Sequence, residues 1–84
     1  MKLSWSEDAW TDYLSFQADK TVCKRINRLI KDIKRSPFSG LGKPEPLKHN
    51  LAGLWSRRIT DEHRITYRIL ENEVEIVECK RHYE

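Results

Sequence analysis

The spacing of apolar residues along the 84-residue chain first follows a helical period and later a strand period. A continuous stripe at helical spacing is formed by Val22, Ile26, Leu29, Ile30 and Ile33. This stripe is the strongest periodic signal in the sequence, and it predicts an amphipathic helix. Asp19 is a suitable N-cap for that helix, and Ser36-Pro37 ends it because proline disfavours a helical backbone in the residue before it.

The segment before this helix predicts a short strand followed by another helix. Residues 2–5 lean apolar and are interpreted as the first strand. Ser6 is a good N-cap, and the acidic pair Glu7 and Asp8 suits the positive end of a helix dipole. The apolar spacing then extends this first helix to about Ala18.

After Gly53 the apolar period changes to two, which is typical of half-buried strands. The alternation predicts three strands, separated by polar turns, at residues 54–59, 63–70 and 74–80. The order of elements is therefore β-α-α-β-β-β. We expect a single domain, residues 1–84, of the α+β class, with the two N-terminal helices packed on one face of a small antiparallel sheet.

The middle strand of this predicted sheet has two chemically different faces. Its apolar positions are Ile65, Tyr67 and Ile69, and they alternate with Arg64, Thr66 and Arg68. Successive side chains of a strand point to opposite faces, so the helices should cover the apolar face while the other face carries guanidinium groups. Arg58 of the preceding strand can join that face across the ladder.

Basic residues are concentrated in the second helix, although the net charge of the chain is only +3. Between residues 20 and 35 there are seven lysines and arginines and a single acidic residue, Asp32. A separated basic face suits a polyanionic partner such as RNA, and the alternative is an ordinary solvated helix face. The residues that we expect to contact such a partner are Lys24, Arg25, Arg28 and Lys31.

The hydropathy of the chain and the spacing of its cysteines indicate its compartment and its metal content. No long apolar run is present, so we expect no membrane span, and the N-terminus lacks the apolar stretch of a signal peptide, which favours the cytoplasm. Cys23 and Cys79 have no second cysteine or histidine at a spacing typical of zinc sites, so we expect buried free thiols. We predict neither a metal nor a cofactor.

All three glycines and all three prolines lie in one segment, between Pro37 and Gly53. A loop this long in so small a protein is more often functional than idle. Pro44 and Pro46 bracket Glu45, the one carboxylate of the loop, and restrict its backbone. A rigidly held glutamate near lysines is a candidate general base, and the alternative is a solvated loop acid.

Glu45 is one part of a set that can cleave RNA through its own 2′-hydroxyl. The reaction needs a base, an acid for the leaving 5′-oxygen and cations for the phosphate, and no metal is required because the nucleophile belongs to the substrate. Arg58, Arg64 and Arg68 can hold a phosphate, or can instead pair with the glutamates of the last strand. Lys48 can contribute as a point charge.

The candidate acid of this set is His82, because histidine titrates near neutral pH. The alternative is a frayed tail without a function. Tyr83 beside it can stack on a base or orient the phosphate. His49 and His63 are interpreted as structural or peripheral, and Trp5 and Trp55 as core residues.

Four motifs together resemble a known family. They are Met-Lys-Leu-x-Trp-Ser at the start, Pro-Phe-x-Gly-x-Gly-Lys-Pro-Glu-Pro-Leu-Lys-His-Asn-Leu in the loop, Trp-Ser-Arg-Arg-Ile-Thr-x-Glu-His-Arg in the hairpin and Cys-x-x-His-Tyr near the end. On these residues the chain resembles the YoeB toxins of the YoeB–YefM toxin–antitoxin pairs, a branch of the RelE-like mRNA interferases. The resemblance covers nearly the whole chain.

The resemblance implies a ribosome-dependent endoribonuclease that cuts mRNA in the decoding site. It implies that Glu45 is the base, His82 the acid and Arg64 the main phosphate-stabilising cation, with assistance from Lys48 and Tyr83. It also implies a microbial-RNase-like fold, neutralisation by a cognate YefM-like antitoxin and a tendency to homodimerise. The extra Glu84 after the tyrosine departs from the family pattern, and a carboxylate near an imidazole favours its charged form.

Two further functions are compatible with the same scaffold. ParE-like toxins, which target DNA gyrase, generally lack the catalytic set, so Glu45, Arg64 and His82-Tyr83 favour the ribonuclease. A non-enzymatic RNA- or ribosome-binding module would use the basic helix alone, and this is compatible with the enzyme because the helix could dock it.

Overall fold

The computed structural model describes residues 1–81 of the chain. Its helices are α1 (Glu7–Ser15) and α2 (Lys20–Arg35), and its strands are β1 (Lys2–Trp5), β2 (Glu45–Pro46), β3 (Trp55–Arg58), β4 (Arg64–Leu70) and β5 (Glu73–Glu78). A short 3-10 turn, His49–Leu51, lies between β2 and β3. The α+β class and the predicted order of the main elements are therefore confirmed.

The strands form one five-stranded sheet in the order β1-β5-β4-β3-β2. The β3-β4-β5 meander is antiparallel, as predicted. The first strand, however, runs parallel to β5, so the sheet is mixed rather than purely antiparallel. Parallel neighbours cannot be joined by a tight turn, and here the two helices and the rest of the sheet separate β1 from β5 along the chain.

Strand β2 was not predicted, because its two residues lie in the segment interpreted as a loop. Glu45 and Pro46 pair with Ser56 and Trp55 at the edge of the sheet. Two residues are too few to display a period, and proline is tolerated at an edge strand because its missing N–H can face away from the ladder. The consequence is that Glu45 belongs to the sheet and has a fixed neighbour in β3.

The helix ends follow ordinary capping chemistry. Ser6 Oγ accepts a hydrogen bond from the backbone N–H of Ala9, and Asp19 Oδ1 accepts one from Val22. Helix α1 ends at Ser15, three residues before the predicted end, because the chain turns there toward the second N-cap. Strands β3 and β4 begin or end one residue inside their predicted limits, whereas β5 begins one residue and ends two residues earlier than predicted.

The core lies between α2 and one face of the sheet. Ile26, Leu29 and Ile33 of the helix are fully buried, as are Ile65 and Tyr67 of β4. Trp5 and Trp55 are partly buried and pack against this cluster, which agrees with their interpretation as core residues. In the range 1–81 no helix is both long and apolar enough to cross a membrane.

The two cysteines differ in their surroundings. Cys79 is fully buried, and the loss of solvation raises the pKa of its thiol to about 12. Cys23 is only half-buried, so the prediction of a buried thiol is wrong for it. Both cysteines are free thiols.

Candidate active site

The predicted base and the predicted main cation meet on the face of the sheet that the helices leave open. Arg64 Nη1 donates a hydrogen bond to Glu45 Oε1 at 3.0 Å, and it also lies 3.5 Å from Ser56 Oγ. The Glu45 side chain is 56% exposed and that of Arg64 is 23% exposed, so the pair is accessible from solvent. The two groups are therefore neighbours before any substrate binds.

Two small hydroxyl side chains form the floor beneath this pair. Ser56 and Thr66 are cross-strand partners, and each is at most 2% exposed although both lie on the open face. The Arg64 guanidinium lies close to the Ser56 hydroxyl. The surface beside the pair is therefore polar.

A second guanidinium lies beside the first. Arg58 is the direct cross-strand partner of Arg64 in the β3–β4 ladder. Like charges in opposed positions repel each other, and an anion placed between them removes that cost. Within residues 1–81 the Arg58 side chain has no ion-pair partner, so it can contact an incoming phosphate.

Arg68, by contrast, does not contribute to this cationic surface. Its Nε donates a hydrogen bond to Glu75 Oε1 of the neighbouring strand, which is the cross-strand pairing weighed as the alternative. Glu75 is the register partner of Arg68. The expected group of three arginines is therefore reduced to Arg58 and Arg64.

The position of Glu45 depends on a buried arginine that sequence reasoning missed. Arg57 is fully buried on the core face of β3, and its five N–H groups all have acceptors. The acceptors are the hydroxyl of Tyr67, the carboxylate of Asp32 and the backbone carbonyls of Leu41, Ser36 and Ser39. A single side chain thus fastens the loop after α2 to the sheet.

Asp32 completes this anchor from the helix side. Its Oδ2 accepts hydrogen bonds from Arg57 Nη1 at 2.6 Å and from the backbone N–H of Leu41 at 3.0 Å, and its Oδ1 accepts one from Arg35. The Leu41 hydrogen bond and the Arg57 contact hold the pKa of the Asp32 carboxyl below its usual value. The carboxylate is therefore charged in the folded protein near neutral pH.

Two glycines allow the loop to close over this anchor. Gly40 has φ +115°, and a Cβ there would lie 2.2 Å from Asp32 Oδ2. Gly42 has φ +79°, and its carbonyl accepts a hydrogen bond from Arg58 N at 2.6 Å. The next residues then continue along β3 as β2, which places Glu45 beside Ser56.

The sequence did contain a signal for Arg57. Strand alternation puts residue 57 on the same face as Ile65, its register partner, and therefore on the core face. A charge on a core face requires a counter-charge, and Asp32 is the only acid of α2. Arg58 was predicted to face the phosphate, and the same alternation places the adjacent Arg57 on the opposite, core face.

The other predicted residues lie in three places. Lys48 is exposed directly before the 3-10 turn. On α2, Lys24, Arg28 and Lys31 are exposed and Arg25 is half-buried. His82 and Tyr83 lie outside the described residues, so their approach to Glu45 and Arg64 stays a prediction.

In the described part of the chain, Glu45 and Arg64 lie on an exposed surface of the sheet. Clefts of about 360 and 350 Å³ lie elsewhere among residues 1–81, and neither Glu45 nor Arg64 lines them. Arg28, Lys31 and Arg35 line the second of them, together with the buried Asp32. In the same part of the chain no three His, Cys, Asp or Glu side chains are grouped as metal ligands would be.

Comparison with known proteins agrees with the motifs. A family model described as the YoeB-like toxin of bacterial type II toxin–antitoxin systems matches residues 5–83. The YoeB toxin of Escherichia coli (strain K12) is 58% identical over 84 residues, which cover 99% of this chain and 100% of that protein.

Solved structures give the same result. A YoeB/ParE toxin from Agrobacterium tumefaciens has a TM-score of 0.96 and 50% identity over 99% of this chain and 100% of that one. YoeB of Staphylococcus aureus, solved as a dimer, has a TM-score of 0.91 and 46% identity over 99% of this chain and 98% of that one. The same toxin, in a heterotetrameric complex with YefM, gives a TM-score of 0.90 at the same identity and coverage. The chain therefore belongs to the YoeB-like toxins of bacterial type II toxin–antitoxin systems.

Proposed function

We propose that the chain is a ribosome-dependent endoribonuclease that cleaves mRNA and thereby inhibits translation. The observation that carries this proposal is the 3.0 Å contact between Glu45 and Arg64 on an open, cationic face of the sheet. A carboxylate and a guanidinium at this distance can act on one phosphodiester, the first as a base and the second as an electrostatic stabiliser.

In the proposed reaction, Glu45 accepts the proton of the substrate's 2′-hydroxyl while the 2′-oxygen bonds to the adjacent phosphorus. Arg64 and Arg58 stabilise the extra negative charge on the phosphate oxygens, and Lys48 assists them. The bond from phosphorus to the 5′-oxygen then breaks, and His82 gives a proton to that oxygen. One product ends in a 2′,3′-cyclic phosphate and the other begins with a 5′-hydroxyl. No metal or cofactor takes part.

The Glu45–Arg64 contact also describes the resting state of this mechanism. An exposed ion pair is worth only about 0–1 kcal/mol, so an arriving phosphate can compete for the guanidinium at little cost. When Arg64 turns toward the phosphate, Glu45 loses its partner and becomes available to the 2′-hydroxyl. The same substrate group thus engages the cation and releases the base.

The ribosome is assigned a role because the Glu45–Arg64 pair lies on an exposed surface of the described residues. On an open surface, nothing in residues 1–81 forces the RNA backbone into line for attack at phosphorus, and alignment contributes a large part of the rate. A ribosome that grips the mRNA supplies this alignment. The exposed basic residues of α2 offer a surface that can bind ribosomal RNA phosphates.

We assign partners and location by analogy with the relatives. The Staphylococcus aureus toxin was solved with YefM and as a dimer, and this supports a YefM-like antitoxin and a homodimer here. A toxin that acts on ribosomes works in the cytoplasm. Capture of a YefM-like protein encoded beside the toxin gene tests the antitoxin assignment.

The experiment that tests the activity compares Glu45→Gln with the wild type on mRNA-programmed ribosomes. Loss of a general base should lower the single-turnover cleavage rate by about 100-fold or more. Glu71→Gln is the matched control, because Glu71 is an exposed glutamate in the turn before β5. Full activity of Glu45→Gln would contradict the assignment. Inhibition of DNA gyrase by the wild type without RNA cleavage would favour a ParE-like toxin instead.

A further inference from the structure

Arg81, the last residue that the structure describes, is fixed through both of its backbone polar groups. Its N–H donates to His63 Nδ1 at 2.9 Å, and its carbonyl accepts from the backbone N–H of Arg64 at 2.7 Å. Its φ of +64° lies in the left-handed region, which a residue other than glycine rarely adopts without support. Two hydrogen bonds to adjacent residues supply that support.

His63 is in turn held from three directions. Thr60 Oγ1 accepts a hydrogen bond from the backbone N–H of His63 at 3.0 Å, which fixes the turn before β4. The imidazole ring packs edge-on against Phe16 with a centroid distance of 5.1 Å, and it is only 14% exposed. Its Nε2 lies 3.0 Å from Glu62 Oε1. The ring therefore has one orientation.

These contacts also define which nitrogen carries the proton. Nδ1 accepts the Arg81 N–H, so a neutral ring must carry its proton on Nε2, where it donates to Glu62. Two charged groups lie near the ring and its aromatic neighbour: Glu62 at Nε2, and Lys80, whose Nζ lies 5.8 Å from the centroid of the Phe16 ring. Each nitrogen of His63 has a partner of the correct kind.

We propose that His63 is a positioning residue that holds the C-terminal segment, through Arg81, against the start of β4, where Arg64 lies. This inference rests on the proposed function, in which His82 is the acid. Of the two interpretations of His63 from the sequence, structural or peripheral, it favours the structural one and gives it a consequence for the rate, because Arg81 directly precedes the proposed acid in the chain.

Two substitutions at His63 separate the hydrogen bond from the bulk of the ring. Asparagine places an acceptor oxygen at the position of Nδ1, whereas glutamine places its polar atoms near Nε2. His63→Asn should therefore preserve the bond to Arg81, and His63→Gln should lose it. Both variants remove the aromatic contact with Phe16 and are neutral, so each serves as the control for the other.

The experiment measures amide hydrogen exchange of Arg81 by NMR in the full chain, with the amides of β4 as the folding control. His63→Gln should raise the Arg81 exchange rate by about ten-fold, as expected for the loss of one hydrogen bond, and His63→Asn should stay within about three-fold of the wild type. Unchanged Arg81 exchange in His63→Gln, with β4 still protected, would show that His63 does not hold Arg81.

Cleavage on programmed ribosomes tests the positioning role. His63→Gln should lower kcat by about ten-fold or more while KM changes less than about two-fold, because a misplaced catalytic group slows chemistry more than binding. His63→Asn should restore most of kcat. Equal kcat for both variants, despite faster Arg81 exchange in His63→Gln, would overturn the positioning role. Full activity of His82→Gln would instead contradict the proposed function. The exchange measurement would still show whether His63 holds Arg81.

Discussion

Arg57 and Asp32 form an ion pair inside the core, with 2.6 Å between Nη1 and Oδ2 and side chains that are 0% and 6% exposed. The pair connects β3 to α2, and its remaining hydrogen bonds hold the loop between α2 and β2. Glu45 follows directly after that loop. The geometry of the candidate active site therefore depends on a buried contact that no substrate touches.

Removing one partner of this pair should strongly destabilise the fold. We expect Arg57→Met to lower the free energy of unfolding by about 3 kcal/mol or more, because Asp32 is left buried without its counter-charge. Urea denaturation monitored by tryptophan fluorescence measures the change.

Arg35→Ala is the matched control for that variant. Arg35 also pairs with Asp32, but its side chain is 80% exposed, so its loss should cost at most about 1 kcal/mol. If Arg57→Met proved no more destabilising than Arg35→Ala, the buried pair would not be the anchor of the loop.

The loop itself should be most sensitive at Gly40. Gly40→Ala should cost about 2 kcal/mol or more, because a Cβ would overlap Asp32 and the positive φ adds strain. Gly53→Ala is the control, since φ is +98° there but no atom lies within 4 Å of the added Cβ. Thermal unfolding of both variants compares them, and equal losses would show that the contact with Asp32 contributes nothing.

Stability should fall in acid through Asp32. The pKa of Asp32 is lowered in the folded state, so as the pH falls the unfolded chain takes up this proton at a higher pH than the folded protein does. The ionised carboxylate therefore stabilises the fold above about pH 4, and this stabilisation is lost as the pH falls below that value. The free energy of unfolding, measured in urea from about pH 6 to about pH 3, should drop more steeply for the wild type than for Asp32→Asn. Parallel curves would argue against a lowered pKa, because the other carboxylates are shared by both proteins.

Much of this fold could be predicted from periodicity alone. The apolar stripe from Val22 to Ile33 and the alternation around Ile65 and Tyr67 identified the helix and the face that it covers. The parallel pairing of β1 with β5 could not be predicted in this way, because it joins residues some seventy positions apart. The apolar pattern of a short strand does not indicate which other strand it will pair with.

The site was predictable in its residue types but not in its contacts. Glu45 and Arg64 were identified from their chemistry and the family motifs, yet their pairing depends on β2, which has only two residues. Arg57 and Arg58 are chemically identical neighbours, and only the strand register decides that one is buried while the other faces the phosphate side. For Arg68 the sequence left phosphate binding and pairing with the last strand both open, and the structure pairs it with Glu75.

Neutralising the basic residues of α2 should weaken ribosome binding and reduce its salt dependence. The four residues that we expect to contact RNA on this helix form no ion pair within residues 1–81, so they are available to phosphates. Each lost phosphate contact should reduce the slope of log K against log salt by about 0.7–0.9. The variant replaces Lys24, Arg25, Arg28 and Lys31 with glutamine.

Lys2→Gln serves as the control for this surface, because Lys2 is an exposed lysine on β1. Binding is measured by co-sedimentation with ribosomes at several salt concentrations. A slope identical to that of the wild type would remove α2 as a docking surface, while leaving the catalytic assignment untouched.

The central claim is that the substrate's own 2′-hydroxyl is the nucleophile, with Glu45 as its base beside Arg64. The most direct test places a single 2′-deoxy nucleotide at the cleavage position of an mRNA bound to programmed ribosomes, and measures single-turnover cutting by the wild-type chain. An mRNA with the 2′-deoxy nucleotide one position away is the control. Cutting should disappear at the substituted position and persist in the control, whereas cutting at an unchanged rate in both would contradict this account.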